Sequence, residues 1–472
     1  MSASEYPRDM IGYGRNPPFA AWPGGARVAL QFVINYEEGA ENNILHGDAA
    51  SEAFLSEIVG AAPWPGMRHM NMESIYEYGA RAGFWRLHRL FVEREMPVTV
   101  YAVATAMARN RPAVAAMNEA GWEIATHGYK WIDYRDAPKD LERRHIAEAV
   151  RIHTEIAGAR PLGFYQGRSS INTIPLGCEE GGFLYCADAY ADDLPYYIEG
   201  AKGPQLIVPY TLDSNDMRFA TPQGFNSGDQ FFAYLKDAFD MLHAEGETSP
   251  KMLSIGLHCR LIGRPGRAAS LARFLDYARA HDKVWVATRL DIARHWIAMH
   301  APPGGWKPSK LTRTLFVEKF GGVYEHSRWV AEAAYDRGLG AADTAQGLAA
   351  AMAAAAAAGT PEQKRALILA HPDLAGKLAR AQRLTADSAR EQAGAGLDQL
   401  SEDQLARFTA LNEAYKTKFG FPFIMAVKGS TRDEILAAFR RRLANDAAAE
   451  SATALKEIDR IAALRLEAML AC

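Results

Sequence analysis

The chain has 472 residues, too many for one compact core, so two domains are expected. Hydrophobic residues make up 49% and charged residues 23%, ordinary values for a globular protein. The net charge of −3 gives no basic field for nucleic acid or for an anionic membrane surface. Residues 1–13 are polar and lack the apolar core of a signal peptide, and no charge-free stretch is long enough to span a bilayer. The four cysteines, Cys178, Cys186, Cys259 and Cys472, form no CxxC pair, so neither a zinc site nor a disulfide framework is expected and a reducing cytoplasm is the expected setting.

Along the first part of the chain, short apolar runs at 28–34, 97–103, 122–125, 205–208, 252–257 and 284–287 read as buried strands. Helical spacing occupies 77–95, 141–157 and 230–245 between them. This alternation predicts an α/β fold with a largely parallel sheet, barrel-like in form. Ala301-Pro302-Pro303-Gly304-Gly305 breaks both element types and reads as the linker. Beyond it the strand signal ends. Helices are expected at 327–338, 342–358, 361–370, 386–397, 401–418, 431–445 and 452–470. Thr360-Pro361 supplies an N-cap with Pro at the first helical position, and Ser401 with Gln404 fits a capping box.

Polar clusters follow several of the apolar runs. They include Asn35-Tyr36-Glu37-Glu38-Gly39, Thr126-His127-Gly128-Tyr129-Lys130-Trp131, Tyr165-Gln166-Gly167-Arg168 and Leu257-His258-Cys259-Arg260. Polar groups at successive strand ends converge on one barrel mouth. Their order resembles the polysaccharide deacetylase superfamily, in which an Asp pair follows the first strand, a His-x-x-x-His motif supplies two metal ligands and a Leu-His step supplies a general acid. Here the corresponding positions hold Glu37-Glu38, His127 followed by Trp131, and Leu257-His258. Indole is a donor only, so Trp131 removes a metal ligand. The strings at 35–39, 187–197, 212–218 and 258–267 are similar to the metal-independent allantoinases. That resemblance implies hydrolytic opening of a cyclic amide with Glu37 or Glu38 activating water and His258 protonating the departing nitrogen. It also implies that His127, Trp131 and Arg168 contact the substrate or the developing oxyanion, and that no metal or other cofactor takes part.

The second half contains His371-Pro372-Asp373-Leu374-Ala375-Gly376 and Ser388-Ala389-Arg390-Glu391-Gln392. A His-Pro step favours a turn just past a helix end, and Ser388 and Glu391 share one helix face. Arg465 lies among apolar residues in the last helix, and Phe423-Ile424 sit in an aromatic break. With the string at 320–327, these resemble the 2-oxo-4-hydroxy-4-carboxy-5-ureidoimidazoline (OHCU) decarboxylases. The resemblance implies His371 as the proton-transfer group, with Glu391 orienting it or the substrate. Pro372, Ser388, Gln392, Phe423, Ile424 and Arg465 are the implied substrate contacts, with the Arg465 fork on an anionic or carbonyl edge.

The expected architecture is a deacetylase-type, distorted TIM-like barrel at 1–303 followed by an all-α domain at 304–472. The expected protein is a cytoplasmic, homo-oligomeric enzyme of urate breakdown with two small-molecule ureide substrates and no nucleic-acid or membrane partner. It would decarboxylate OHCU to (S)-allantoin and hydrolyse allantoin to allantoate. The alternative is a metal-dependent N-deacetylase fused to a helical interaction domain.

Overall fold

The structure is a computed structural model that describes residues 6–58, 60–222, 224–340, 342–374, 385–394, 397 and 400–471. Ala375 and Gly376 of the His371 motif, and Cys472, lie outside the described residues. The chain divides into two compact units, Met1–Pro302 and Pro303–Cys472.

The first unit is an α/β fold built on one curled sheet. Its strands are β1 (Val28–Tyr36), β2 (Thr99–Ala102), β3 (Glu123–Thr126), β4 (Gly163–Phe164), β5 (Tyr185–Cys186), β6 (Tyr196–Gly200), β7 (Gly203–Ile207), β8 (Lys251–His258) and β9 (Val284–Val286). The order is β6-β7-β5-β4-β3-β2-β1-β8, with β9 beside the start of β1. Every pairing is parallel except the β6–β7 hairpin. The sheet ends at β6 on one side and β8 on the other, and an isolated bridge from Asn215 to Gly256 ties β8 to the segment that follows β7. All nine residues of β1 are buried, which explains its largely apolar run: both faces of a central parallel strand are covered.

Register sets the height of the site. Asn35 pairs with His258, Tyr36 with Ala102, Ala102 with Thr126 and Thr126 with Phe164. Glu37, His127 and Tyr165 each follow the last of these pairs and emerge in one layer at the C-terminal end of the sheet, and the His258 side chain reaches Glu37 from the Asn35 level.

The helices of this unit are α1 (Met70–Tyr78), α2 (Phe84–Val92), α3 (Ala104–Arg109), α4 (Arg111–Glu119), α5 (Lys139–Ala157), α6 (Thr173–Glu180), α7 (Gly228–Glu245), α8 (Pro265–Arg279) and α9 (Arg289–Met299). The single helix expected at 77–95 is instead α1 and α2 joined by a wide π turn at Gly79–Gly83. Its glycines allow a close approach: a Cβ on Gly79 would lie 2.5 Å from Glu38 Oε1, and one on Gly83 would strike the Cys259 carbonyl. The turn therefore seats against the two clusters that carry the site.

Among its described residues the second unit has helices and no strand: α10 (Arg313–Phe320), α11 (Trp329–Asp336), α12 (Ala345–Ala357), α13 (Pro361–Leu369), α14 (Ala386–Gly394), α15 (Glu402–Phe419), α16 (Arg432–Arg442) and α17 (Ala447–Leu470). Thr360–Gln363 and Ser401–Gln404 both form reciprocal capping boxes, as their spacing predicts. Helix α17 packs along α12 and reaches α13 and α15, which brings Arg465 to the other candidate residues. Among the described residues no helix is long and apolar enough to cross a membrane.

Candidate functional sites

In the first unit Glu37 is the hub. Its Oε1 lies 3.3 Å from His127 Nε2 and 3.5 Å from His258 Nε2, and its Oε2 lies 2.7 Å from Arg260 Nη1. Burial alone would push the Glu37 carboxyl up, but the Arg260 guanidinium and His258 hold it well below the usual carboxylate range. Glu38 behaves in the opposite way. Burial pushes it up, Arg260 opposes this, and the neighbouring Glu37 charge adds to it. Glu38 accepts from the backbone N–H of Arg260 at 3.2 Å and of Glu37 at 3.2 Å, so it fastens the two loops together.

His258 is oriented from behind. Asp216 Oδ1 lies 2.6 Å from His258 Nδ1, and Asp216 Oδ2 accepts the backbone N–H groups of His258 at 2.7 Å and Ile262 at 3.0 Å. The carboxylate fixes the proton on Nδ1 and turns Nε2 toward Glu37. Burial works against the imidazolium, but Asp216 and Glu37 outweigh it and raise His258 to about 9.

Trp131 is buried and packs on Tyr76 and Phe54. The guanidinium carbons of Arg168 and Arg260 each lie 5.0 Å from its ring. Arg168 is bound to Glu52 at 3.1 Å, so it acts first as a wall around Trp131.

In the second unit the eight C-terminal residues singled out from sequence, His371, Pro372, Ser388, Glu391, Gln392, Phe423, Ile424 and Arg465, all line one cleft with Leu374, Met425, Val427 and Ile461. His371 follows the end of α13, as its proline requires, but its ring turns back and is 8% exposed. Its Nδ1 lies 2.9 Å from the Leu367 carbonyl. A carbonyl only accepts, so Nδ1 carries the proton and Nε2 is left with a lone pair. Burial lowers the His371 pKa, with the Leu367 bond as the main opposing influence, so the ring is neutral near pH 7.

Arg465 departs from expectation. Its fork was expected on the substrate; instead Nε and Nη2 lie 2.7 and 3.0 Å from the two oxygens of Glu391. Nη1 donates to Glu325 at 3.0 Å and to the Val323 carbonyl at 3.2 Å, and Nη2 to Ser388 Oγ at 3.3 Å. Glu391, expected to serve His371 or the substrate, is thus the partner of Arg465. Glu325 also accepts from Thr385 Oγ1 at 2.6 Å and Ser388 Oγ at 3.1 Å. Burial pushes it up, but Thr385 and Arg465 bring it below the usual range.

The polysaccharide deacetylase family pattern matches residues 72–175, and the OHCU decarboxylase pattern matches 309–467. The crystal structure of a probable polysaccharide deacetylase from Pseudomonas aeruginosa PAO1 is 62% identical, covering 62% of this chain and 99% of that one, with a TM-score of 0.62. The crystal structure of PuuE allantoinase is 60% identical, covering 63% of this chain and 99% of that one, also with a TM-score of 0.62. The OHCU decarboxylase of Haloferax volcanii is 42% identical over 158 residues, 34% of this chain and 90% of that protein. The chain joins a polysaccharide deacetylase family unit to an OHCU decarboxylase family unit.

The deacetylase pattern implies a divalent metal, and the donors here do not fit one. Trp131 offers no lone pair, and the carboxylates that would face a metal are already paired with Arg260. Among the described residues no group of three His, Cys, Asp or Glu side chains is arranged to hold a metal ion. For the deacetylase family unit, sequence reasoning left out Asp216 and Arg260; for the decarboxylase family unit it left out Glu325. All three lie inside strings that carried the resemblance. A charged residue in an apolar setting, as at Arg260 between Cys259 and Leu261, was the available signal.

Proposed function

We propose that the chain is a bifunctional ureide enzyme: the N-terminal unit hydrolyses allantoin to allantoate, and the C-terminal unit decarboxylates OHCU to (S)-allantoin. The observation that carries this reading is the buried Glu37 carboxylate, 2.7 Å from Arg260 Nη1 and 3.3 and 3.5 Å from Nε2 of His127 and His258. This is an acid–base pair for amide hydrolysis that has no use for a metal.

Glu37 takes a proton from water as the oxygen attacks the ring carbonyl. His127 Nε2 and the surrounding dipoles face the developing oxyanion. As the ring C–N bond breaks, His258 Nε2 gives its proton to the departing nitrogen. The direct Glu37–His258 contact then returns the proton and resets both groups. This assigns the base to Glu37, with Glu38 as a brace for Arg260.

In the C-terminal cleft, the electrons of the C–CO2 bond pass into the adjacent C=N of the substrate ring, so no external electron sink is needed. The ring nitrogen that receives those electrons takes a proton from solvent, and the neutral His371 Nε2 accepts a proton from the resulting enol and delivers it to one face of the ring carbon. Glu391, held rigid by Arg465, forms the polar wall against which the substrate's donors align. The apolar wall of Phe423 and Ile424 is fixed from behind by Arg442, which stacks over Phe423 and donates to the Ile424 carbonyl at 2.6 Å. A homo-oligomer of this chain, acting in the cytoplasm, is part of the same proposal. The test is to supply freshly generated OHCU to the purified protein and follow products by NMR. Transient (S)-allantoin followed by allantoate is expected; N-deacetylation of amino sugars with no ring opening would refute it.

A further inference from the structure

The Glu37–Glu38 pair is enclosed with a fully buried arginine. Arg260 is 0% exposed. Its Nη1 reaches Glu37 at 2.7 Å and Glu38 at 3.5 Å, its backbone N–H reaches Glu38, and its Nε donates to the Leu55 carbonyl at 3.1 Å. Its guanidinium carbon lies 4.3 Å from the Tyr76 ring and 5.0 Å from the Trp131 ring, so the plane is set by stacking as well as by hydrogen bonds. Two carboxylates this deeply buried need a positive partner, because an unpaired buried charge is costly. The residue that removes a metal ligand, Trp131, is also one of the rings that hold this cation.

We propose that Arg260 is a built-in cation that replaces the divalent metal of the deacetylase pattern, acting as a positioning residue that holds Glu37 between His127 and His258. The inference rests on the ring-opening assignment above. Trp131 and Arg260 are then one exchange: the indole gives up the ligand position and walls in the guanidinium that makes the ligand unnecessary. A guanidinium, unlike a bound ion, cannot dissociate, and here its Nη1 faces both carboxylates while Nε and the flanking rings fix its orientation.

The test uses the full-length protein, with decarboxylation by the C-terminal unit as an internal control. In Arg260→Ala, kcat for allantoin opening should fall by about 100-fold or more, the scale of losing one preorganised electrostatic contact, with KM changed far less. Millimolar guanidinium, far below denaturing concentration, should restore at least about tenfold of that loss through the cavity left behind. A second readout needs no turnover. Trp131→His restores the His-x-x-x-His pattern but leaves Arg260 in place, so it should take up no cobalt by d–d absorption; Trp131→His with Arg260→Gln should take up one equivalent. Undiminished kcat in Arg260→Ala, a folded Arg260→Ala that guanidinium does not rescue, or cobalt uptake by Trp131→His alone would each overturn the proposal. If Arg260→Ala does not fold, the cobalt comparison decides. If the unaltered protein opens no allantoin, the functional reading fails while the cobalt comparison still tests the place of Arg260.

Discussion

The two units use the same three residue types, histidine, glutamate and arginine, and set the histidine to opposite charge states. In the first, the arginine neutralises Glu37 from one side while His258 meets two carboxylates, Asp216 and Glu37, so the histidine is held protonated. In the second, Arg465 takes both Glu391 and Glu325 as its own partners. His371 is left with a backbone carbonyl and burial, so it is held neutral. Where the carboxylates point therefore decides whether a buried histidine is an acid or a base. Hydrolysis of an amide needs a donor for a poor leaving nitrogen; decarboxylation needs a group that can pick up a proton and return it.

The largest expected effects break one site and spare the other. Glu37→Gln keeps the shape but not the charge, and ring opening should fall by roughly 10²–10⁴-fold, the usual worth of a positioned general base. Decarboxylation should be unchanged; a parallel loss in folded protein would contradict two separate sites. His371→Asn should do the reverse. Stereospecific decarboxylation should drop by a similar factor, leaving the spontaneous reaction and racemic allantoin, while supplied (S)-allantoin is still opened. Circular dichroism of the product reads this out once the N-terminal site is disabled with Glu37→Gln. Unchanged stereospecificity would remove His371 from the mechanism.

A smaller effect sharpens the charge contrast. His258 is raised to about 9 from an ordinary value of 6.5, so its protonated form adds stability that is complete below 6.5 and is lost as pH rises through about 9. Ring-opening activity should have its alkaline limb in the same region. Glu37 lies below its ordinary value of 4.5, so its contribution holds above that value and is lost only in stronger acid. Asp216→Asn removes the main support of the His258 charge and should move the alkaline limb downward. The cost at a fixed alkaline pH should be about tenfold for each unit the limb falls below it. A pH–rate profile that does not move would show that Asp216 has only a packing role.

These contrasts were partly legible in the sequence. The long buried strands β1 and β8, with β2, β3, β7 and β9, showed as apolar runs because both sheet faces are covered. The two-residue strands Gly163–Phe164 and Tyr185–Cys186 are too short to carry a period, and β6 is a half-exposed hairpin arm with no strong pattern. Helix α10 is not singled out by its pattern, and neither are the longer α8 and α9. His127, His258 and the two glutamates were legible because strand-end positions are read directly from the runs before them. Arg260 and Asp216 were not, since their meaning lies in partners far along the chain: Arg260 is 222 residues from Glu38, and Asp216 is 42 from His258. Pairing is a property of the fold. For the same reason Arg465 and Glu391 are legible as cleft residues but not as each other's partners: 74 residues separate them in the chain, and the fold pairs them.

The smallest expected effect is no effect. If Arg260 and His258 supply all the positive charge the N-terminal site needs, prolonged chelation should leave ring opening within experimental error of the untreated protein. Added zinc or manganese should not increase it. The same treatment should spare the C-terminal site, whose polar lining of His371, Ser388, Glu391, Gln392 and Arg465 offers an arginine already committed to carboxylates rather than a ligand set. Loss of ring opening on chelation with recovery on adding metal would reverse the comparison. The N-terminal unit would then have kept the chemistry of the deacetylase pattern despite Trp131, and Arg260 would have to move away from Glu37 to let the metal in.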